Sequence, residues 1–238
     1  MKTNQLLIAL AIFAALLIDG CAPRTRVGAL RTKSQSVELG DADPVNVEIQ
    51  MGAGKLDVSG GATELLEASF TYNVEDLDPR AIHTNGRLEV MDSGVNMGIA
   101  SFADLDDFRN EWDLKLNEDV PMEMKIDLGA GPSNLALGAL ALTSLNINGG
   151  AGEIIIDLSG TWRNDLDARI TGGLGDLYLT LPREIGVRIE VDPGVGIVDA
   201  SSLKRNGNTY TNYVYGVSGV TLRIHIEGGV GNINLGIE

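Results

Sequence analysis

The pair Gly-x-Gly occurs six times in similar surroundings, beginning at Gly52, Gly129, Gly150, Gly173, Gly194 and Gly229. The successive intervals are 77, 21, 23, 21 and 35 residues. A fixed internal period of this size is the mark of stacked structural repeats, so the three consecutive intervals of 21 to 23 predict one unit per copy. The last interval is 14 residues longer than the shortest, which fits an excursion through Arg205, Asn206, Gly207 and Asn208.

Aligned on the first glycine, the copies form columns. Three residues before it stand Ile49, Ile126, Ile147, Ile170, Val191 and Ile226; five before it stand Val47, Met124, Leu145, Ala168, Ile189 and Ile224. The columns between are polar: Glu48, Lys125, Asn146, Arg169, Glu190 and His225 four before, and Gln50, Asp127, Asn148, Thr171, Asp192 and Glu227 two before. Such alternation is the period-2 pattern of a strand with one buried face. It resumes after the glycines at Leu56, Ile154, Leu177 and Ile233. A residue without Cβ redirects the chain between two strands and permits close backbone approach, so each copy reads as strand, glycine corner, strand.

Copies of that unit can stack at a strand spacing of about 4.8 Å and bury like residues on like. The fold class is therefore all-β, a short right-handed β-helix or β-solenoid with an inserted capping segment; an antiparallel β-sandwich of the same units is the alternative. A dinucleotide reading of Gly149-Gly150-Ala151-Gly152 fails on context, because that fingerprint must open a helix and every pair here leads into strand-like sequence.

The 77-residue interval holds an alternating strand through Ala68, Phe70 and Tyr72 and a short strand around Leu88 and Val90. Phe102 to Asp119 is acidic and aromatic and is expected to be an irregular or partly helical excursion that covers one open end. Its Phe102, Leu105, Phe108, Trp112, Leu114 and Leu116 read as a cap, with a ligand-binding loop as the alternative. Asp104, Asp106, Asp107, Glu111 and Asp113 are oxygen donors of the kind Ca²⁺ requires, but they lack the EF-hand glycine and terminal glutamate.

At the amino terminus, Lys2 precedes an uncharged apolar run from Leu6 to Ile18, the length of a signal-peptide core and short for a membrane span. It ends at Ile18-Asp19-Gly20-Cys21, which resembles the lipobox of bacterial lipoproteins and implies a diacylglyceryl group on Cys21; a free thiol near an ordinary cleavage site, or an uncleaved anchor, is the other reading. Cys21 is the only cysteine, so the exported body has no internal disulfide and depends on its core. The expected division is a signal peptide over 1–20, a lipidated terminus and tether over 21–44, an N-terminal part with the capping excursion over 45–121, and the glycine-cornered repeats over 122–238. A net charge of −15 disfavours nucleic acid, whose phosphates attract Lys and Arg.

The stretch Val45 to Asn73, with Met51-Gly52-Ala53-Gly54-Lys55-Leu56 and Gly60-Gly61-Ala62-Thr63-Glu64-Leu65-Leu66, resembles the N-terminal part of the toast-rack domain family. Leu128-Gly129-Ala130-Gly131 and Gly172-Gly173-Leu174-Gly175 are similar to its repeat region and to related putative-adhesin and cell-wall-active antibiotic response domains. The resemblance implies a bacterial cell-envelope protein. Some such relatives work beside membrane histidine kinases and carry several transmembrane helices, a feature this chain lacks.

The expected function is accordingly a non-enzymatic, membrane-anchored scaffold that binds an envelope protein or polysaccharide. An accessory role in envelope-stress sensing is the alternative. No cofactor, metal or catalytic residue is assigned. His83 and His225 have no metal spacing, and no nucleophile elbow or zinc motif is present. A weaker enzyme reading places Glu153 and Asp176 on adjacent rungs about 5 Å apart, the separation of a retaining glycosidase pair. The contact candidates are Tyr210, Tyr213 and Tyr215, with Trp112, Asp104, Asp106 and Asp107; the alternative for the tyrosines is a hairpin packed on the solenoid flank.

Overall fold

The computed structural model describes residues 27–40, 44–92 and 107–238. Each Gly-x-Gly copy forms one rung of two strands. The rungs are β2 (Val45–Ala53) with β3 (Lys55–Gly60), β8 (Met122–Ala130) with β9 (Ser133–Ala136), and β10 (Leu142–Asn148) with β11 (Ile154–Asp157). They continue with β12 (Leu166–Thr171) and β13 (Leu177–Leu181), β14 (Gly186–Asp192) and β15 (Val198–Asp199), and β18 (Thr221–Glu227) and β19 (Ile233–Ile237). First strands pair in parallel in one sheet and second strands in parallel in the other. This is a two-sheet β-solenoid. The sandwich of antiparallel units is excluded because neighbouring rungs run the same way.

The spine predicted from the columns is present. Ile49 lies opposite Ile126, Ile126 opposite Ile147, Ile147 opposite Ile170, and Ile170 opposite Ile226, all fully buried. Each such side chain contributes roughly 1.5–3 kcal/mol by leaving water. The facing sheet supplies a second column through Leu114, Val58, Leu135, Ile156, Leu179 and Leu235.

Rung order departs from chain order twice. The C-terminal pair β18–β19 is inserted between β12–β13 and β14–β15, so Ile226 separates Ile170 from Val191. At the other end, β6 (Arg87–Met91) and β7 (Asn110–Leu116) form a seventh rung outside β2–β3, with Val90 opposite Ile49. The capping excursion expected over 102–119 is therefore corrected over its second half. Trp112, Leu114 and Leu116 point inward as one rung strand while Glu111, Asp113 and Lys115 point outward.

The glycines set the rung spacing at the corner. A Cβ on Gly173 would sit 1.7 Å from the Gly150 carbonyl oxygen, and one on Gly175, whose φ is +137°, would sit 2.2 Å from that of Gly152. At the outermost rung the main-chain oxygen of Asn110 takes the corresponding place, 2.0 Å from a Cβ on Gly54.

Antiparallel strands cap both sheets at one end and one sheet at the other. One end carries β4 (Leu66–Tyr72) on β7, β1 (Arg31–Val37) on β4, and β5 (Arg80–Thr84) on β6. The tether expected over 21–44 is thus shortened by an ordered strand. Inward-pointing Gln35 accepts the Ala81 amide at 3.0 Å and donates back to the Ala81 carbonyl, while Lys33 Nζ reaches Asp78 Oδ1 and the Pro79 carbonyl at 3.0 Å. The side chains of β1 thereby join the two sheets, and inward polar groups on an edge strand oppose addition of another chain. At the opposite end the hairpin β16 (Lys204–Asn206) and β17 (Thr209–Thr211) pairs with β14, which is the excursion expected around Arg205 to Asn208.

The outward columns carry charge ladders that make stability depend on pH. The Gln50 amide, then Lys125 and Arg87, hold the Glu48 carboxyl below its ordinary 4.5. Burial alone would raise Asp127, but Lys125 and Asn148 outweigh it and lower it from 3.8. A depressed carboxyl stabilises the fold above its unfolded value, and that contribution disappears as pH falls through the folded value. Thermal melts are expected to be flat from about pH 7 to about pH 5 and to fall below about pH 4. Lys125→Met should give a shallower fall, and an equally steep one removes this ladder as the cause.

Candidate interaction surface

The sequence-predicted site residues do not form one site. Cys21, Asp104 and Asp106 lie outside the described residues. Asp107 is exposed, and its main-chain oxygen accepts Asn73 Nδ2. Trp112 is a correction: it is buried, its ring meets Phe70 edge-on at 5.5 Å, and its Nε1 donates to Asn110 Oδ1 at 2.8 Å. Tyr210 is a second correction, since strand β17 turns it inward opposite Ile189, where it ends the apolar column. The packed-hairpin reading holds for Tyr210 only. Tyr213 is 76% exposed with Lys204 Nζ 4.5 Å above its ring, and Tyr215 is also exposed, so these two remain available for contact.

The glycosidase geometry is half present. Glu153 and Asp176 occupy adjacent rungs in register, but Asp176 Oδ1 accepts the Asn232 amide at 2.7 Å. Asn232 Oδ1 in turn accepts the Ile197 amide at 3.2 Å. Asp176 thus begins a rung-to-rung hydrogen-bond chain, which is a structural use of the carboxylate. His225 stands on the outward face, 3.4 Å from Glu227 and 3.6 Å from Asp192. Among the described residues, no three His, Cys, Asp or Glu side chains converge on a metal position.

Sequence reasoning missed the residue between the two glycines, treating it as free. In stacked order these residues are Ala53, Ala130, Ala151, Leu174, Val230 and Val195, each paired with the next along the corner. Three alanines give way to Leu174, Val230 and Val195, which are 61, 51 and 71% exposed, with Ile197 beside them at 72%. The change from Ala to Leu and Val was the available signal. Exposed Tyr213, Tyr215 and Val217 follow β17 at the same end of the stack.

The described chain begins at the opposite end, where the Gly28 amide donates to the Asn73 carbonyl ahead of β1. The nine strands of the sheet that contains β1 and β15, at about 4.8 Å each, put roughly 40 Å between that end and the last rung. Leu174, Val230, Val195 and Ile197 therefore lie far from the first described residues, while Leu30, Leu39 and Ile82 are exposed singly at the β1–β5 end.

Comparison with known proteins agrees with the geometry. Among solved structures, a "putative cell adhesion protein" from Clostridium sporogenes has a TM-score of 0.81 and 32% identity, covering 88% of this chain and all of that one. A "putative adhesin" from Bacteroides fragilis has a TM-score of 0.35 and 13% identity, over 87% of this chain and 97% of its own. No curated protein matches. The model of the N-terminal domain of toast_rack, DUF2154, matches residues 26–180, more than half of the sequence, and the chain belongs to that family.

Proposed function

We propose that this protein is a non-enzymatic adhesion scaffold of the bacterial envelope, held to a membrane by lipid on Cys21 and presenting the far end of its solenoid to an envelope protein or polymer. The observation that carries the reading is the polarity of the stack. The described chain starts at Val27, at the closed β1–β5 end, and the exposed Leu174, Val195, Val230 and Tyr213 side chains gather at the other. The adhesion name of the 32% identical Clostridium sporogenes structure supports the same reading. Two or more acyl chains suffice for stable anchoring where one is marginal, so a diacylated cysteine would hold the rod without a membrane-spanning helix.

The test uses the full chain, expressed in a bacterium that processes lipoproteins. The wild-type chain is expected to take up labelled palmitate and to sediment with membranes. Its cells should adhere several-fold better to immobilised envelope of the source bacterium than cells expressing Cys21→Ser. A wild-type chain that takes up no label, or labelled cells with no gain in adhesion, overturns the proposal.

A further inference from the structure

The corner column gives the solenoid no reason for large side chains on its last three rungs. Alanine serves the same corner position at Ala53, Ala130 and Ala151, where it is buried or half-buried, and the clustered apolar interior includes none of the corner residues. Leu174, Val230, Val195 and Ile197 instead form a contiguous exposed apolar ridge. Contiguous exposed apolar surface of this kind marks contact with another molecule.

The surface beside the ridge fixes the charge of that molecule. In the sheet adjoining it, Glu153 and Asp176 stand immediately before β11 and β13, Asp157 ends β11 and Asp199 ends β15, and β11, β13, β19 and β15 contain no Lys, Arg or His. Among the described residues none of these four carboxylates has an ion-pair partner; Asp157, Asp176 and Asp199 each accept one backbone amide, which leaves their charge uncompensated there. Ile155 and Tyr178 lie in register between them, both partly exposed. The other sheet differs on the same rungs. There Arg169 pairs with Glu227, Arg223 with Asp165 and Asp167, and Arg188 with Glu190. Uncompensated negative charge is thus concentrated on one flank of the ridge.

We infer that the ridge of Leu174, Val230, Val195 and Ile197, with the adjoining strip of Glu153, Asp157, Asp176 and Tyr178, is a docking surface for a basic amphipathic polypeptide segment. The segment's apolar side chains cover the ridge. Its Lys or Arg side chains meet the carboxylates and the face of Tyr178, where a cation is attracted to the ring. An anionic lipid surface or a polyanionic polymer is repelled by the same strip, and a neutral glycan gains nothing from its charge. The inference names the partner class for the scaffold proposed above and rests on that reading.

The test measures binding of a labelled peptide of alternating leucine and lysine to the complete mature chain carrying Cys21→Ser, so that no acyl group competes. Fluorescence anisotropy is expected to show binding that weakens as salt rises, and none for the same peptide with glutamate in place of lysine. Glu153→Gln with Asp157→Asn and Asp176→Asn keeps the amide acceptors at 157 and 176 while removing three charges, and should weaken binding about tenfold. Val195→Ser with Val230→Ser should weaken it to a similar degree. Glu111→Gln with Glu118→Gln and Glu123→Gln removes the same charge from exposed sites near the other end and should stay within about twofold of wild type.

Equal weakening by the remote triple variant reduces the effect to net charge and overturns the inference, as does unchanged affinity in the serine variant. Failure here is separable from failure of the scaffold reading. Adhesion to envelope that survives the ridge substitutions removes only this surface, whereas adhesion that does not depend on Cys21 removes the anchored scaffold.

Discussion

Gly173→Ala is expected to abolish the cooperative melt or to leave the protein insoluble, while Leu174→Ala, one residue on, leaves stability within about 0.5 kcal/mol of wild type. The contrast follows from the corner geometry. A methyl group at 173 would be 1.7 Å from the Gly150 oxygen and 2.6 Å from its carbonyl carbon, and both belong to backbone that the parallel ladder fixes. Relief requires neighbouring rungs to separate, which breaks hydrogen bonds such as Leu174 N to Gly150 O and loosens the isoleucine spine beneath. A cost above about 4 kcal/mol is a large share of the 5–15 kcal/mol that typically holds a domain together. Leu174 is exposed and loses little on truncation. The measurement is a urea titration of both variants. An alanine at 173 that melts within a few degrees of wild type would show that the corner has slack and that its glycines serve another end.

Trp112→Ala is expected to destabilise the protein by about 3–5 kcal/mol, the usual cost of emptying a large aromatic site. The loss has two parts. The indole is buried against Phe70, and removing it also leaves Asn110 Oδ1 without its donor in a dry site. Asn110 is itself buried and donates from Nδ2 to the Ala53 carbonyl at 2.6 Å, so the defect reaches the first glycine corner. Trp112→Phe should cost less, since it keeps most of the apolar contact and loses only the N–H bond. An unchanged denaturation midpoint in the alanine variant would reinstate Trp112 as a surface contact residue.

These two sites show what the amino-acid pattern reveals and where it stops. The spine was legible because alternation and even spacing act together: Ile126, Ile147 and Ile170 recur at 21 and 23 residues and fall opposite one another. Rung order was not legible, because every copy presents the same apolar columns and a rung fits equally well between any two others. Hence Ile226 could not be placed ahead of Val191 from spacing alone. The strand around Trp112 was read as a cap for a related reason. It carries the alternation, but the first residue of its strand at the corner is Asn110 rather than the second glycine of a pair, and its aromatics suit a lid as well as a core. Tyr210 and Tyr213 differ in exposure because hairpin pairing with β14 directs Tyr210 inward, and that pairing is a tertiary matter. The ridge escaped notice because the position between two glycines was treated as a wildcard.

The insertion of β18–β19 between older neighbours has a consequence for synthesis. A solenoid whose rungs follow chain order can grow as the polypeptide emerges, each new turn settling on the last. Here β14 has no parallel partner until Thr221 to Glu227 has been made, so the slot beside β12 stays open until β18 and β19 arrive. The strands β18 and β19 are the keystone. A ribosome that stops short of them releases two half-finished sheets with facing unpaired edges, and the rod cannot close until both strands have been made.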